Sequence, residues 1–240
     1  MKIMVSVITA PRLTDANYLP ATLAALQKQL SSETIPLVTA DAYLPEIPPG
    51  WKLQSHPARE RRGSRLQMRA VFEAFIESGA ERLLYCEDDI IPCRNLVEYA
   101  RRVEIPDAWP LVSFFDPRIG EEWQKARLIA PLPVRRFLYT QCFVTRRETV
   151  EKLLAFDFTA QPQRIRGLNG SDSMLRGFFF RLNIKAYGAQ IPNLVTHVGD
   201  DSIVMRGKTY VKGATRSPGA DFDCLSLIKA HTSPKHPTKI

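Results

Sequence analysis

Three consecutive carboxylates, Glu87, Asp88 and Asp89, are the residues of this sequence whose types and spacing point most directly to chemistry. They stand between two apolar runs that are expected to be buried. Carboxylates so close together repel one another unless a cation lies between them, and a hard divalent ion prefers such oxygen ligands. That ion could also bridge two phosphates and neutralise a departing diphosphate. Alternation along an extended chain would turn Asp88 away from the other two. A solvated acidic turn that caps the next helix is the simpler alternative.

The elements that must position this triplet alternate between strand and helix through the first half of the chain. An apolar, β-branched run predicts a strand over 3–9, and a stripe of leucines predicts a helix over 17–30. In open α/β sheets, ligands bind beyond the carboxyl ends of the strands, where the strand over 82–86 would deliver the triplet. The other predicted strands are 35–39, 51–55 and 110–115, and the other predicted helices are 64–78 and 95–103.

The second half continues the same alternation. A strand over 137–144, helices over 148–156 and 172–181, and a short strand over 184–187 are predicted in that order. We therefore predict an α/β fold with one domain over 1–205, in which a mixed, mostly parallel, Rossmann-like sheet is flanked by helices. Residues 206–240 are predicted to be a basic C-terminal extension with a flexible end.

The composition limits the classes of protein that fit. With 240 residues, 45% of them hydrophobic, the chain can bury one sizeable core. No run reaches the roughly 20 apolar residues that span a bilayer. No membrane span and a cytoplasmic location, in a bacterium or a phage-infected cell, are therefore predicted. The four cysteines, Cys86, Cys93, Cys142 and Cys224, lack zinc-ligand spacing and are predicted to be buried free thiols.

The segment 84–90, Leu-Tyr-Cys-Glu-Asp-Asp-Ile, resembles the "EDD" form of the DxD motif of GT-A glycosyltransferases. In that family the motif ends a central strand, its last Asp binds Mn²⁺ or Mg²⁺, and its first carboxylate contacts the ribose or the metal. The resemblance therefore implies that Asp89 is a metal ligand and that Glu87 contacts the metal or the ribose. It also implies that Asp88 lies at the donor and that the fold is of the GT-A type.

The start of the chain is similar to the first strand, loop and helix of the same family. There the loop after the strand cradles the nucleotide, which implies donor contacts for Thr9, Pro11 and Arg12. An acid after the second strand binds the base or ribose in that family. Asp41 stands at this position, and a plain loop Asp is the alternative. Arg65, on the helix facing the nucleotide, is the candidate to neutralise the donor diphosphate.

The most specific similarity lies in the segments 170–175 and 191–202, where an acid at a helix start is followed by Pro-x-Leu-Val-x-His-x-Gly. The resemblance implies that Asp172 is the general base that takes the proton of the acceptor hydroxyl, and that His197 is a further metal ligand. Taken alone, Asp172 would be a helix cap and His197 a structural residue. The acceptor-side strand of the family is matched around Gln141, which is a candidate contact.

The resemblance implies a metal-dependent hexosyltransferase whose donor is a nucleotide-diphosphate sugar, predicted to be a UDP-sugar, with Mn²⁺ or Mg²⁺ as cofactor. A base placed like Asp172 favours inversion by direct displacement. Two other classes stay open. One is a metal-dependent nuclease or nucleotidyltransferase that uses the triplet on two ions. The other is a non-catalytic nucleic-acid-binding domain.

The acceptor is predicted from charge alone. The net charge of +8 exceeds what one nucleotide sugar requires, and a polyanionic acceptor would use the surplus. DNA with a hydroxymethylated base is one candidate, and its target base would be flipped out or reached in a groove. A glycan or a lipid-linked sugar is the main alternative. The cations concerned are Arg59, Arg61, Arg62, Arg65, Arg69, Arg135, Arg136, Arg146, Arg147, Arg164, Arg166, Arg206, Lys208, Lys212 and Arg216.

Overall fold

The computed structural model describes residues 1–12, 17–56, 63–118, 126–137, 139–155, 170–199 and 217–231. The strands are β1 (Ile3–Thr9), β2 (Thr34–Asp41), β3 (Lys52–His56), β4 (Arg82–Glu87), β5 (Ile90–Pro92), β6 (Leu111–Ser113), β7 (Leu128–Pro133), β8 (Cys142–Arg146), β9 (Ala186–Ile191) and β10 (Val195–His197). The helices are α1 (Leu19–Gln27), α2 (Ser64–Ser78), α3 (Leu96–Arg102), α4 (Arg147–Leu154), α5 (Ser171–Arg181) and α6 (Ser226–His231).

Eight strands form one sheet in the order β3-β2-β1-β4-β8-β6-β9-β7. β1 pairs in parallel with β2 and β4, and β2 pairs in parallel with β3. β8 is antiparallel to both β4 and β6, while β9 is parallel to β6 and antiparallel to β7. Six strands therefore run one way and two the other, which confirms the predicted mixed, mostly parallel sheet. The carboxyl ends of β1, β4 and β6 consequently lie at the same edge.

Helices cover both faces of this sheet because its central strands are apolar on both sides. All seven residues of β1 are buried. Ile3, Val5 and Val7 pack in one core with residues of α1, α3 and α6, whereas Met4 and Ile8 pack in a second core with residues of α2, α4 and α5. A strand buried on both faces has a nearly continuous apolar sequence, which is the pattern that predicted β1.

Helix α2 has the predicted bounds and packs beside the candidate site. It is followed by Gly79 at φ 70°, a left-handed conformation that glycine adopts without strain, so the helix ends there. Met68, Phe72 and Phe75 turn one face of the helix into the second core. Helix α1 is shorter than predicted and begins at Leu19 with a proline in its first turn, a position that needs no backbone donor.

The strand predicted over 137–144 is wrong in its position. A single 3-10 turn forms at 134–136, and the strand of this region is β8. The side chain of Phe137 accounts for the difference, because it packs edge-on against both Phe179 and Tyr187 in the second core. An apolar residue that anchors a connection resembles, in sequence, one that belongs to a strand.

The four cysteines are buried and free, as predicted. Cys224 and Leu227, in the described part of the predicted C-terminal extension, pack in the same core as Ile3. The division of the chain at residue 205 stays a prediction. Within the described ranges, no helix combines the length and the apolar composition that crossing a membrane would require.

Candidate functional site

Three strand ends place the candidate site at one edge of the sheet. β1 ends at Thr9, β4 ends at Glu87, and β6 ends three residues before Asp116. Because β1 and β4 are adjacent and parallel, the loop after β1 lies directly beside the acidic triplet. This arrangement brings Thr9 and Arg12 together with the carboxylates, although nearly eighty residues separate them in sequence.

The triplet does not continue as an extended chain. Residues 88 and 89 form a turn between β4 and β5, so the predicted separation of Asp88 from Asp89 is wrong. Both carboxylates instead reach one nitrogen of Arg12: Nη2 lies 2.6 Å from Asp88 Oδ1 and 3.2 Å from Asp89 Oδ2. The physical reason is that the turn folds the two side chains toward the same cation. Thr22 fixes the turn, because its Oγ1 lies 2.7 Å from the carbonyl oxygens of both Asp88 and Ile90.

Arg12 supplies the positive charge that the acidic pair needs. Its side chain is 4% exposed, and its guanidinium lies over the ring of Tyr18 at 4.6 Å. Burial opposes a raised pKa of Arg12, but the charges of Asp88 and Asp89 outweigh it. Asp88 is further held by Thr9, whose Oγ1 donates to Asp88 Oδ2 over 2.6 Å. The predicted donor residues Thr9, Arg12 and Asp88 therefore form one buried network.

Asp89 and His197 meet through a second, two-stranded sheet. β10 pairs antiparallel with β5, which sets His197 opposite Ile90. His197 Nε2 consequently lies 3.2 Å from Asp89 Oδ2, and the N–H of Val198 donates to the Asp89 carbonyl over 2.8 Å. Gly199 permits this approach, because a Cβ at that position would lie 2.4 Å from Asp89 Oδ2.

The charges in this cluster shift several pKa values. Burial alone would raise the pKa of Asp89, but His197 and Arg12 outweigh it and the pKa is lowered. Burial lowers the pKa of His197, yet the hydrogen bond and charge of Asp89 raise it above its usual value. Burial raises the pKa of Asp88 despite Arg12. Burial and the charge of Asp89 raise the pKa of Glu87 to about 7.

Asp89 and His197 fit a divalent ion as a pair of ligands. Two neighbouring ligands of an octahedral ion lie about 3 Å apart, which matches the 3.2 Å between Asp89 Oδ2 and His197 Nε2. Asp89 Oδ1 is buried and has no hydrogen-bond partner among the described residues. No three His, Cys, Asp or Glu side chains of those residues form a complete metal-binding group. The other ligands would be diphosphate oxygens and water, as is usual for Mg²⁺.

Thr140 links the triplet to helix α5. Its Oγ1 donates to Glu87 Oε1 over 2.7 Å and lies 3.0 Å from Ser171 Oγ. Ser171 is the first residue of α5, and Asp172 follows it in the first turn. Asp172 Oδ1 accepts the backbone N–H of Ser173 at 2.7 Å. The helix start that carries the predicted base therefore lies next to the triplet.

The other predicted donor residues lie on β2, on α2 and in the loop after β1. Asp41 is 1% exposed, and its Oδ2 accepts the N–H of Gly63 over 2.9 Å, so it fastens the start of α2. Arg65 lies half-buried in the first turn of that helix, and Pro11 lies half-buried in the loop after β1. Their contacts with a nucleotide stay predictions.

A second acid–arginine arrangement at this edge was not predicted from the sequence. Asp116, beyond the end of β6, is 3% exposed and pairs with Arg118 at 2.8 Å. The available signal was an acid soon after a predicted strand, as in the triplet. Tyr43 was also missed: its hydroxyl lies 2.5 Å from Thr9 Oγ1.

The described arginines do not form one basic surface. β8 ends at the opposite edge of the sheet, where Arg146 pairs with Asp107 and Arg147 pairs with Glu151. Arg135 and Arg136 are exposed near Arg118, which contacts the carbonyl of Arg136. Arg65 and Arg69 lie on α2, where Arg69 pairs with Glu73. The other predicted contributors lie outside the described residues: Arg59, Arg61, Arg62, Arg164, Arg166, Arg206, Lys208, Lys212 and Arg216.

Comparison with solved structures identifies the type of fold. The chain is similar to the mannosyltransferase PcManGT from Pyrobaculum calidifontis, solved in complex with GDP-Man and Mn²⁺, with a TM-score of 0.54 and 16% identity over 80% of this chain. The chain spans about half of that mannosyltransferase, 54% of its length. A similarity at 16% identity shows the fold, which is of the GT-A type as predicted.

A second similarity is to A197 from STIV, with a TM-score of 0.44 and 12% identity, covering 83% of this chain and 87% of that one. No protein-family model matches the sequence, and none of the curated proteins matches it.

Proposed function

We propose that the protein is a metal-dependent glycosyltransferase that moves a sugar from a nucleotide-diphosphate sugar to an acceptor hydroxyl, with a UDP-sugar as donor. The meeting of Asp89 and His197 at 3.2 Å, beyond the end of β4 in a GT-A fold, carries this proposal. Bound there, Mn²⁺ or Mg²⁺ would neutralise the charge that develops on the departing diphosphate. Glu87 is proposed as a further contact to the metal or the ribose.

The residues of the chain divide the remaining work. Arg12, in the loop after β1, already lies among the carboxylates at the donor side and is proposed to contact the donor with Thr9, Pro11 and Asp88. Asp41 is proposed to bind the base or ribose. Arg65 is proposed to approach the diphosphate from α2. In this proposal, the donor is bound by residues that are buried or half-buried at this edge of the sheet.

Asp172 is proposed to act as the general base. It takes the proton of the acceptor hydroxyl while that oxygen bonds to the anomeric carbon, and the bond from this carbon to the diphosphate breaks. The nucleoside diphosphate leaves, and the configuration at the anomeric carbon inverts. Support for this role is the position of Asp172 in the first turn of α5, next to the Thr140 bridge to Glu87.

The proposed acceptor is DNA that contains a 5-hydroxymethylated pyrimidine. The net charge of +8 and the exposed arginines 135 and 136 near the edge favour a polyanion. A glycan or a lipid-linked sugar is the alternative acceptor within the same reaction.

The test is release of nucleoside diphosphate from a panel of UDP-sugars and from GDP-mannose with Mn²⁺, with and without duplex DNA containing 5-hydroxymethylcytosine. We expect release that EDTA abolishes and DNA stimulates, with a hexose-sized mass gain on the modified base. Release that ignores DNA would move the acceptor to a glycan or lipid. No release from any donor, with DNA cleaved or merely bound, would reject the proposal.

Substitution of Asp172, the proposed general base, tests its role directly. Asp172→Asn should lower transfer about 100-fold or more, because general-base catalysis contributes at least that factor. Binding of nucleoside diphosphate with Mn²⁺ should be retained, as measured by calorimetry. Asp107→Asn is the matched control, since Asp107 is 98% exposed before the amino end of β6. Equal transfer rates for Asp172→Asn and the wild type would remove Asp172 from the mechanism.

A further inference from the structure

The segment after β6 presents an arginine at the same edge as the acidic triplet. Arg118 Nε donates to Asp116 Oδ1 over 2.9 Å, and Nη2 donates to Asp116 Oδ2 over 2.8 Å. The backbone N–H of Arg118 adds a third bond to Asp116 Oδ1 at 3.0 Å. Such a bidentate contact fixes both the position and the plane of a guanidinium.

Two buried side chains, Tyr187 and Asn193, hold Asp116 in place. Tyr187 donates its hydroxyl to Asp116 Oδ2 over 3.1 Å, and the backbone of Asp116 exchanges hydrogen bonds of 3.0 and 3.3 Å with the side chain of the fully buried Asn193. The side chain of Asp116 is 3% exposed, whereas that of Arg118 is 35% exposed. A ligand that approaches from solvent would therefore meet the guanidinium and not the carboxylate.

The donors of Arg118 are only partly used. A guanidinium has five N–H groups, and those of Nε and Nη2 point to Asp116 and to the carbonyl of Arg136. None of these hydrogen bonds uses Nη1, and the Tyr187 hydroxyl is a further polar neighbour of the guanidinium. The Nη1 N–H groups are therefore the donors through which this side chain, already held by its neighbours, can meet a ligand.

Aromatic rings connect Arg118 with the candidate site. The guanidinium lies over Tyr139 at 5.2 Å, and the Phe115 ring lies 6.1 Å from Tyr139 and 5.9 Å from His197. The residue after Tyr139 is Thr140, which bridges the triplet and the start of α5. Arg118 therefore flanks the side of the site on which the proposed base lies.

We propose that Arg118 binds a phosphate group of the acceptor through Nη1, close to the hydroxyl that receives the sugar. This inference rests on the proposed function and names its substrate class: acceptors that carry a phosphate. An N–H group of a guanidinium that is already held in place loses less conformational entropy on binding a phosphate oxygen than a mobile ammonium does. Arg135 and Arg136, both exposed, extend the positive charge beside it.

The experiment measures binding with the donor site already filled. The protein is saturated with nucleoside diphosphate and Mn²⁺, and deoxycytidine 5′-monophosphate or glucose 6-phosphate is titrated by calorimetry beside its unphosphorylated parent. In the wild type we expect each phosphorylated compound that binds to bind about tenfold more tightly than its parent, the scale of one charge-assisted contact. The pair that shows the preference distinguishes a nucleotide acceptor from a sugar phosphate.

Substitution at Arg118 then assigns the contact. Arg118→Gln should abolish the preference, and Arg118→Lys should keep part of it. Arg102→Gln, which removes an exposed arginine of α3 that pairs with Glu98, should keep all of it. Melting curves of each variant check the fold. A wild type without phosphate preference would overturn the inference, as would an Arg118→Gln protein that keeps it. If the proposed function itself is wrong, the result is distinguishable, because nucleoside diphosphate and Mn²⁺ would then not bind in the first step.

Discussion

Two arginine–aspartate arrangements at the same edge of the sheet differ in how deeply the arginine is buried. Around the acidic triplet, the side chain of Arg12 is 4% exposed and those of Asp88 and Asp89 are 9% and 10% exposed, so all three charges are enclosed. In the other pair, Asp116 is enclosed at 3% while Arg118 is exposed at 35%. The first arginine is the shared counter-ion of two carboxylates, and the second presents about a third of its side chain to solvent. The same chemical pair therefore differs between the two places in how far solvent reaches the arginine.

The largest effect should come from the carboxylate of the enclosed arrangement that has an unpartnered oxygen. Asp89→Asn removes the proposed anionic metal ligand, and we expect donor hydrolysis with Mn²⁺ to fall about 10³-fold, since a metal contributes several kcal/mol of charge stabilisation. Binding of Mn²⁺, followed by electron paramagnetic resonance, should weaken in parallel. If Asp89→Asn were no slower than the control Asp107→Asn, the enclosed arrangement would be structural only.

The second-largest effect should be on stability, which we expect to depend on Arg12 more than on Arg118. Arg12→Gln leaves two buried carboxylates without their shared cation, and we expect the free energy of unfolding to fall by about 3 kcal/mol. Added Mn²⁺ should restore more stability to this variant than to the wild type, because it supplies the missing charge to the folded state only. Urea unfolding with and without Mn²⁺ measures both quantities. Arg69→Gln is the control, because the Arg69–Glu73 pair is exposed on α2. A loss as small as that of the control would contradict the role of Arg12 as counter-ion.

The smallest effect should be that of Arg118→Gln on stability. Asp116 keeps its hydrogen bonds from Tyr187 and from the backbone of residue 118, and solvent screens a side chain that is 35% exposed. We expect a loss of about 1 kcal/mol in the same urea experiment. A loss equal to that of Arg12→Gln would mean that both arginines are structural counter-ions, and the contrast between them would disappear.

The sequence predicted those parts of the fold that depend on local pattern. The apolar run of β1, the start and end of α2, and the strand that delivers Glu87 were all recognisable, because each burial pattern or terminal glycine acts within a few residues. The resemblance also singled out Asp89 and His197, which the fold brings together. Their roles as metal ligands stay predictions.

Contacts between segments that are far apart in the chain could not be predicted from the sequence. Arg12 was assigned to the donor, and nothing local indicated that it lies between Asp88 and Asp89. The burial of Asp41 against Gly63 and the pairing of Asp116 likewise depend on which strands are neighbours. The sequence gives the number of cations in a chain, whereas the order of the strands in the sheet decides which cation pairs with which carboxylate.

The pairing of β5 with β10 has a consequence for synthesis on the ribosome. Each strand has only three residues, yet the pairing joins Asp89 to a histidine 108 positions later. The N-terminal strands can assemble as they emerge, while the histidine side of the pair does not yet exist. Arg12 precedes β4 in sequence, so it is already synthesised at that stage and can pair with both aspartates as it does in the folded protein. The pair of proposed metal ligands, Asp89 and His197, is therefore completed only when β10 pairs with β5.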